Sequence, residues 1–549
     1  MNDDGAVWTS TNGVEIRDLV PAHERRAWVE QGLCPGRDLY TLFRETVRSH
    51  PARAAVIDPS GTLDYAALDA EVRRIAALFA GAGLTERDIV AIRVPNGRRA
   101  VAVELAVAAL GAVALPYPAG RGNRDTLSLL GRSRARAAVF ADSADVDLRA
   151  QLPDLREVWT FGESRPGARS LDEAPADLAP PWEPRPVDAG APARILVSSG
   201  SEAEPKMVAY SHDAFAGGRA SYVRALHIGE GPMRGLMLMP LSSSYGSLGT
   251  YVTLAALGGT LLIPPSVHPA AAFRMITEHR PTHVFGVPTL LRRMADHPAG
   301  PDEDLGSLRA VVSSAADLPV ATGEACRARF GRPVITVYGS SDGVNCHTAA
   351  TGLSPEAGTG LPDPAVAEIR IVDPDGTRLA PGQPGEIVAR GPMTPLCYVA
   401  GADLDARYRT ATGWVRTGDR GMLDQHGRLH VLGRLREVVK RGGLTISPAE
   451  VEREIGTHPA IAEAACVGVP DADLGERLCA CVREAPGTRP LTLHVLTAFL
   501  EGERGLERRK LPELLLRVPE MPLAPSGKIC RRTLSTLAER QAVRPTGER

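Results

Sequence analysis

Lysine is the scarce residue of this sequence: of 63 lysines and arginines only four are lysine, namely Lys206, Lys440, Lys510 and Lys528. Arginine therefore serves the general surface, and the few compact, flexible ammonium groups stand out as candidates for tasks a planar guanidinium does not perform. Cysteine is also sparse. The eight cysteines are scattered and form no Cys-x-x-Cys pair, which argues against a zinc site and a disulfide framework and favours reduced thiols in a cytoplasmic protein. No stretch of about eighteen apolar residues is present to span a bilayer. The formal net charge of −2 leaves no basic field to draw in nucleic acid or an anionic membrane. The first residues, Met1-Asn2-Asp3-Asp4-Gly5, are acidic and lead into no apolar segment, so no signal peptide is expected. Internal repeats and low-complexity tracts are missing too.

What is present exceeds one core. A chain of 549 residues implies two or more domains with a large buried interior. From Ala54 onward short strand-like runs alternate with helical ones: 54–57, a helix over about 66–82, 89–94, a helix over about 98–110, and 137–140. That alternation implies a mostly parallel sheet with helices on its faces. An earlier helix is expected over 38–50, and a buried one over 248–257. Further strands are expected at 260–263, 283–287, 308–312 and 333–337, the last two running into small residues, Ser313-Ser314-Ala315 and Tyr338-Gly339-Ser340-Ser341-Asp342. Small polar residues just past strand ends of an open α/β sheet are where ligands sit. Beyond about 366 short glycine-punctuated strands predict an antiparallel unit, and after Gly433 a smaller α+β unit follows. Within that unit Ser447-Pro448-Ala449-Glu450 has the form of a helix capping box.

Three of the four lysines lie in or beside glycine-containing loops or a strand-to-loop break. The strand-like Ile195-Leu196-Val197 opens into Ser198-Ser199-Gly200-Ser201-Glu202-Ala203-Glu204-Pro205-Lys206; Lys440 precedes Gly442-Gly443; and Lys528 closes Pro525-Ser526-Gly527. The first is phosphate-binding chemistry, since a glycine admits close backbone approach, N–H groups and hydroxyls donate to phosphate oxygens, and a lysine supplies charge. Its spacing is not that of a Walker loop. Lys510 belongs to no motif and is expected on the surface. His212, His268, His283 and His347 form no ligand set and are expected to be structural.

These motifs, taken in order, resemble those of the adenylate-forming superfamily of acyl-CoA synthetases, adenylation domains and luciferases. The resemblance rests on Leu63-Asp64-Tyr65-Ala66-Ala67-Leu68, the 198–206 loop with Tyr210-Ser211-His212 after it, Tyr338 to Asp342, Thr417-Gly418-Asp419, Gly433-Arg434-Leu435-Arg436-Glu437, and Pro525 to Lys528. It implies an α/β fold with a large N-terminal domain of layered sheets and a β subdomain, residues 1–433, and a small mobile α+β lid, 434–549. It also implies two steps: a carboxylate attacks the α-phosphate of ATP to give an acyl adenylate and pyrophosphate, and the acyl group then passes to a thiol.

Family roles carry over position by position. Lys528 would contact the carboxylate and α-phosphate, and Lys440 would act in the thioester-forming pose. Ser198, Ser199, Gly200, Ser201 and Lys206 would hold phosphates. Ser314, Ala315, Tyr338, Gly339 and Ser341 would border the nucleotide, with Tyr338 on adenine and Ser341 at the α-phosphate. Asp419 and Arg434 would take the ribose, Asp342 would hold Mg²⁺, and Arg436 would be the hinge of the domain swing. The sequence departs from the family where Glu202, Ala203 and Met207 replace Thr, Gly and Gly, and where Asp342 replaces Glu.

The segment Ser242, Ser243, Ser244, Tyr245 and Gly246 falls where the family lines its acyl pocket. It offers no carboxylate to pair a substrate ammonium, which disfavours α-amino acids. The leader Arg25 to Asp38, with Trp28 to Leu33 ahead of a helix, resembles the start of free-standing aryl-acid ligases, which implies a small aryl or unsaturated carboxylic acid, with a separate acyl carrier protein or CoA as acceptor. Two alternatives stay open: adenylation of another oxyanion such as nitrite, and a non-catalytic nucleotide-binding relative.

Overall fold

The computed structural model describes residues 6–542 apart from 120, 142–148, 165, 174–181, 199–203, 350–357, 442–443 and 525–527. The first two-thirds of the chain builds two mostly parallel sheets, the layered arrangement that the resemblance implies. One runs in the order Lys206–Ser211, Pro192–Ser198, Val113–Pro116, Ile89–Arg93, Ala137–Phe140, Glu157–Thr160, Arg169–Ser170. It is parallel throughout except for its first strand, which returns antiparallel to Pro192–Ser198. The other holds eight strands, parallel in the middle and antiparallel at both edges, where Asn345–His347 pairs Val334–Gly339 and Gly61–Asp64 pairs Ala54–Asp58. Helix Arg98–Leu110 explains the doubling. Every residue from Ala100 to Ala109 is buried, and a helix apolar all round needs cover on both sides.

One charge interrupts that buried run, and a partner meets it. Glu104 receives a 2.6 Å bond from Arg194 of the strand Pro192–Ser198, both side chains being almost wholly buried. Burial pushes the Glu104 carboxyl up and the Arg194 guanidinium down from their ordinary values, while their mutual contact opposes both shifts. The other Arg194 nitrogen donates to the Leu241 carbonyl at 2.7 Å, so the pair also ties down the entry to Ser242–Gly246.

A four-stranded antiparallel sheet follows, Glu368–Val372, Gly385–Arg390, Val415–Leu423 and Leu429–Arg434. After Arg434 the chain builds a separate five-stranded sheet between Val439 and Arg517, flanked by helices Pro448–Ile455, Leu493–Gly502 and Arg531–Gln541. This unit is held against the rest by Arg483 to Asp296 at 3.7 Å, by Arg293 to Glu520, and by Arg453 donating to the Val431 carbonyl at 3.0 Å.

Three local expectations are corrected. The 248–257 segment is buried but is a 3-10 turn, Gly246–Leu248, followed by a wide π-type helix, Gly249–Ala256. Ser447 begins its helix without closing a capping box, because its hydroxyl donates to Leu432 and Glu450 accepts from Lys510 at 2.7 Å. Lys510 is thus an ion-pair partner, not a bare surface residue.

Two histidines are folded as neutral rings. Nδ1 of His212 accepts from the Leu39 N–H and Nε2 of His283 from the Ile228 N–H, and burial lowers their pKa values to about 4 and about 3. On unfolding both rings protonate near their ordinary value, so this stability is complete above pH 6.5 and is lost as pH falls toward 4 and 3. Each ring should therefore remove about 2 kcal/mol between pH 7 and pH 5. Urea unfolding at those two pH values measures it, and equal stability would contradict the assignment.

Candidate active site

The hairpin that carries Lys206 fixes the start of the site. Ser198 and Lys206 are paired across the antiparallel strands, so they bracket residues 199–203. Ser199, Gly200 and Ser201, like the departures Glu202 and Ala203, fall outside the described residues. Lys206 is buried, and among the described residues no carboxylate pairs with it. Its ammonium instead lies 3.9 Å from the Tyr408 ring centre and 5.7 Å from that of Tyr398, two aromatic faces in place of a counter-ion. Glu204 turns the other way, to Arg132 at 3.3 Å.

The strand Val334–Gly339 delivers the second group. The Tyr338 hydroxyl donates to Asp419 at 2.6 Å, and the other Asp419 oxygen accepts from Arg434 at 2.8 Å, Asp419 and Arg434 being register partners on neighbouring strands. Burial holds the Asp419 carboxyl above its usual range against the pull of Arg434 and the Tyr338 hydroxyl. Gly339, at the end of the strand, pairs with Asn345. Ser341 is buried and its carbonyl accepts from the Tyr210 hydroxyl at 2.7 Å, while Asp342 accepts from the Tyr398 hydroxyl. Tyr398 thus touches Asp342 with its hydroxyl and faces Lys206 with its ring. At the end of the neighbouring strand Ser314 bonds back to Val337 at 2.9 Å, and Ala315 is held in left-handed backbone, φ 77°, at a cost of about 1–3 kcal/mol for a non-glycine residue.

Lys528 reaches this group from the C-terminal unit. The residue keeps solvent exposure, and desolvation by the surrounding protein first and the Arg434 charge second lower its pKa against Glu437 and Asp419. Arg436 lies on the same side, its guanidinium 5.9 Å from the Tyr408 ring centre. Lys440 is not part of the cluster. It is exposed on the strand Val439–Arg441, with its backbone N–H donating to Glu476 at 2.7 Å.

The 242–246 segment is held from behind. Asn96 accepts from the Leu241 N–H at 2.9 Å and donates to the Met239 carbonyl at 2.8 Å. Ser243 caps its own turn, donating to the Pro240 carbonyl at 2.7 Å and accepting from the Gly246 N–H at 2.9 Å. A Cβ on Gly246 would lie 1.9 Å from the Pro240 oxygen, so only glycine fits that turn. The Tyr245 hydroxyl donates to Val312 at 3.0 Å, Ser242 is buried, and Ser243, Ser244 and Tyr245 keep partial exposure. A separate cleft of about 1330 Å³ opens between residues 6–30 and the 182–192 segment, but none of these site residues lines it.

No group of three or more His, Cys, Asp or Glu able to hold a metal occurs among the described residues, and none of their helices is long and apolar enough to cross a membrane. Tyr398 and Tyr408 were not read from the sequence as site residues. Tyr398 and Tyr408 lie roughly two hundred positions from Lys206, and no local spacing signals their approach.

Comparison with known proteins shows the family. Residues 43–399 match the AMP-binding enzyme family and residues 450–528 its C-terminal domain. The chain is 31% identical to triostin synthetase I of Streptomyces triostinicus, covering 94% of this chain and 98% of that one. It is 30% identical to a salicyl-AMP ligase / salicyl-S-ArCP synthetase of Mycobacterium tuberculosis, covering 94% and 93%. Among solved structures the amide bond synthetase McbA of Marinactinospora thermotolerans superposes with a TM-score of 0.78 at 30% identity, covering 91% and 99%.

Proposed function

Because this chain belongs to the AMP-binding enzyme family, and so is an AMP-forming ligase that uses ATP to activate a carboxylic acid, we propose that its acid is a small aryl or unsaturated one. The acyl group then goes to a thiol, on a separate carrier protein or on CoA. The observation that carries the site assignment is the bonded trio Tyr338, Asp419 and Arg434, with Lys528 near enough for its charge to act on Asp419 and Arg434, and with Tyr398 joining Asp342 to Lys206 nearby.

In the first step a carboxylate oxygen attacks the α-phosphorus and the bond to the β-phosphate breaks, releasing pyrophosphate. Two anions must approach, so the protein works by charge neutralisation and positioning. Lys528 neutralises the carboxylate and the α-phosphate, Lys206 and the 198–201 loop take the outer phosphates, and Ser341 faces the α-phosphate. Tyr338 borders adenine with Ser314, Ala315 and Gly339, while Asp419 accepts from the ribose hydroxyls in place of Tyr338, with Arg434 beside it. Asp342 suits Mg²⁺, which takes one or two carboxylates alongside substrate phosphates and would screen their charge. In the second step the sulfur attacks the acyl carbon and AMP leaves.

The substrate class is supported by the hydroxyls and single ring at 242–246, by the lack of a carboxylate there, and by the similarity to a salicyl-AMP ligase. Similarity to an amide bond synthetase gives a second reading, in which an amine replaces the thiol as acceptor. The test is ATP–pyrophosphate exchange over a panel of acids. Aryl and aryl-acrylic acids should respond and α-amino acids should not, whereas strong exchange with an α-amino acid would sink the substrate assignment. Nitrite with an aryl amine belongs in the panel, since AMP release there without carboxylate exchange points to the oxyanion alternative. We further propose that Lys440 acts after rotation of the 434–549 unit about Arg436. Lys440→Ala should keep exchange within about threefold of normal and slow thiol transfer at least about tenfold; loss of exchange alone would overturn this.

A further inference from the structure

We infer that Arg219 is the specificity-determining charge of the proposed acyl pocket, and that the acid activated here carries a second anionic group directed at Ser244. The inference rests on the adenylation reading above. Arg219 ends the short π-type turn Phe215–Arg219 and is fully buried. It donates to the Ser247 hydroxyl at 3.0 Å and, at 3.4 Å, to the Ser244 carbonyl, and it lies against the Tyr210 hydroxyl, while its Nε and a second Nη lack a partner of good geometry. No carboxylate pairs with it among the described residues. The other deeply buried arginine near this segment, Arg194, has Glu104.

A buried cation needs compensation. The faces of Tyr210 and Phe215, 4.6 and 5.3 Å from the guanidinium carbon, offset only part of it. Nor can the turn retreat: a Cβ at Gly217 would strike Cys34 and one at Gly218 would lie 2.2 Å from the Met393 nitrogen, so the backbone is locked against its neighbours. Ser244, whose carbonyl meets Arg219, keeps a partly exposed side chain. A substrate group that reaches Ser244 therefore comes within one layer of an uncompensated positive charge in a water-poor environment, where Coulomb terms are large. A carboxylate or sulfonate is drawn to that point. An ammonium is repelled, which adds a repulsive element to the missing carboxylate in excluding α-amino acids.

The test compares matched acids with the whole enzyme: benzoate against the three benzenedicarboxylates and sulfobenzoates, cinnamate against carboxycinnamates, and propanoate against succinate. In pyrophosphate exchange the wild type should favour the dianionic member of at least one pair by about tenfold or more in kcat/KM. Arg219→Met should abolish that preference and leave the KM for ATP unchanged. It should also melt no lower than the wild type, since replacing an unpaired buried cation by an apolar side chain of similar volume is neutral or stabilising. A wild type that favours the monoanionic member of every pair overturns the inference while leaving adenylation standing. So does an Arg219→Met variant that melts well below wild type and loses all acids alike, which is the behaviour of a structural residue. Exchange with no acid at all overturns the adenylation reading and this inference with it.

Discussion

Replacing Lys528 with alanine should lower acid-dependent pyrophosphate exchange by about two to three orders of magnitude, the usual effect of removing one donor aimed at transition-state charge. The fold should survive. Lys528 is exposed, and the backbone bonds beside it, from the Ala524 N–H to the Lys528 carbonyl at 2.8 Å and from the Cys530 N–H to the Pro522 carbonyl at 2.7 Å, do not involve its side chain. Lys528→Arg should not restore the rate, because a guanidinium is larger and planar where a compact ammonium must sit between two anions. Circular dichroism and a melting curve establish that the variants are folded, and exchange at saturating ATP and acid gives the loss of kcat. An alanine variant that exchanges at near wild-type rate would remove Lys528 from the first step.

Glu104→Ala should be the most destabilising single change near the site, by about 3–5 kcal/mol, because it leaves Arg194 charged and unpaired in the core. The double change Glu104→Leu with Arg194→Met should recover most of that loss, since replacing a buried pair by packed apolar side chains is often neutral or better. The double variant nevertheless loses the Arg194 bond to Leu241, so its KM for the acid should rise while its KM for ATP holds. Urea unfolding of the three proteins measures the first point and exchange kinetics the second. A Glu104→Ala variant as stable as wild type would show that Arg194 finds another partner.

Much of this arrangement was legible in the sequence because local pattern and local structure coincide. The alternation of short apolar runs with helical ones gave the α/β class, and the shift to glycine-punctuated strands after about 366 marked the antiparallel sheet that ends at Arg434. The scarcity of lysine pointed to Lys206 and Lys528, and the motifs around Tyr338, Asp419 and Arg434 pointed to residues that the structure brings into hydrogen-bond contact. What stayed hidden depends on long-range pairing. Periodicity cannot say that the strands divide between two sheets, although Glu104, the one charge in the apolar run 100–110, was a signal that a buried partner must exist. The capping-box pattern at Ser447 was misleading because Leu432 and Lys510, distant in sequence, compete for its two side chains. Tyr398 and Tyr408 are ordinary tyrosines until the fold sets them against Lys206.

In the proposed first step a carboxylate oxygen of the substrate becomes bonded to the α-phosphorus of ATP. That step is tested most directly by supplying an acid labelled with ¹⁸O in its carboxyl group, together with ATP and an acceptor thiol, and recovering the nucleotide product for mass spectrometry. The prediction is AMP carrying one ¹⁸O atom, with the pyrophosphate unlabelled, because the acyl adenylate leaves its bridging oxygen on AMP when the thiol attacks the acyl carbon. Unlabelled AMP, or ADP with the label in inorganic phosphate, would contradict it.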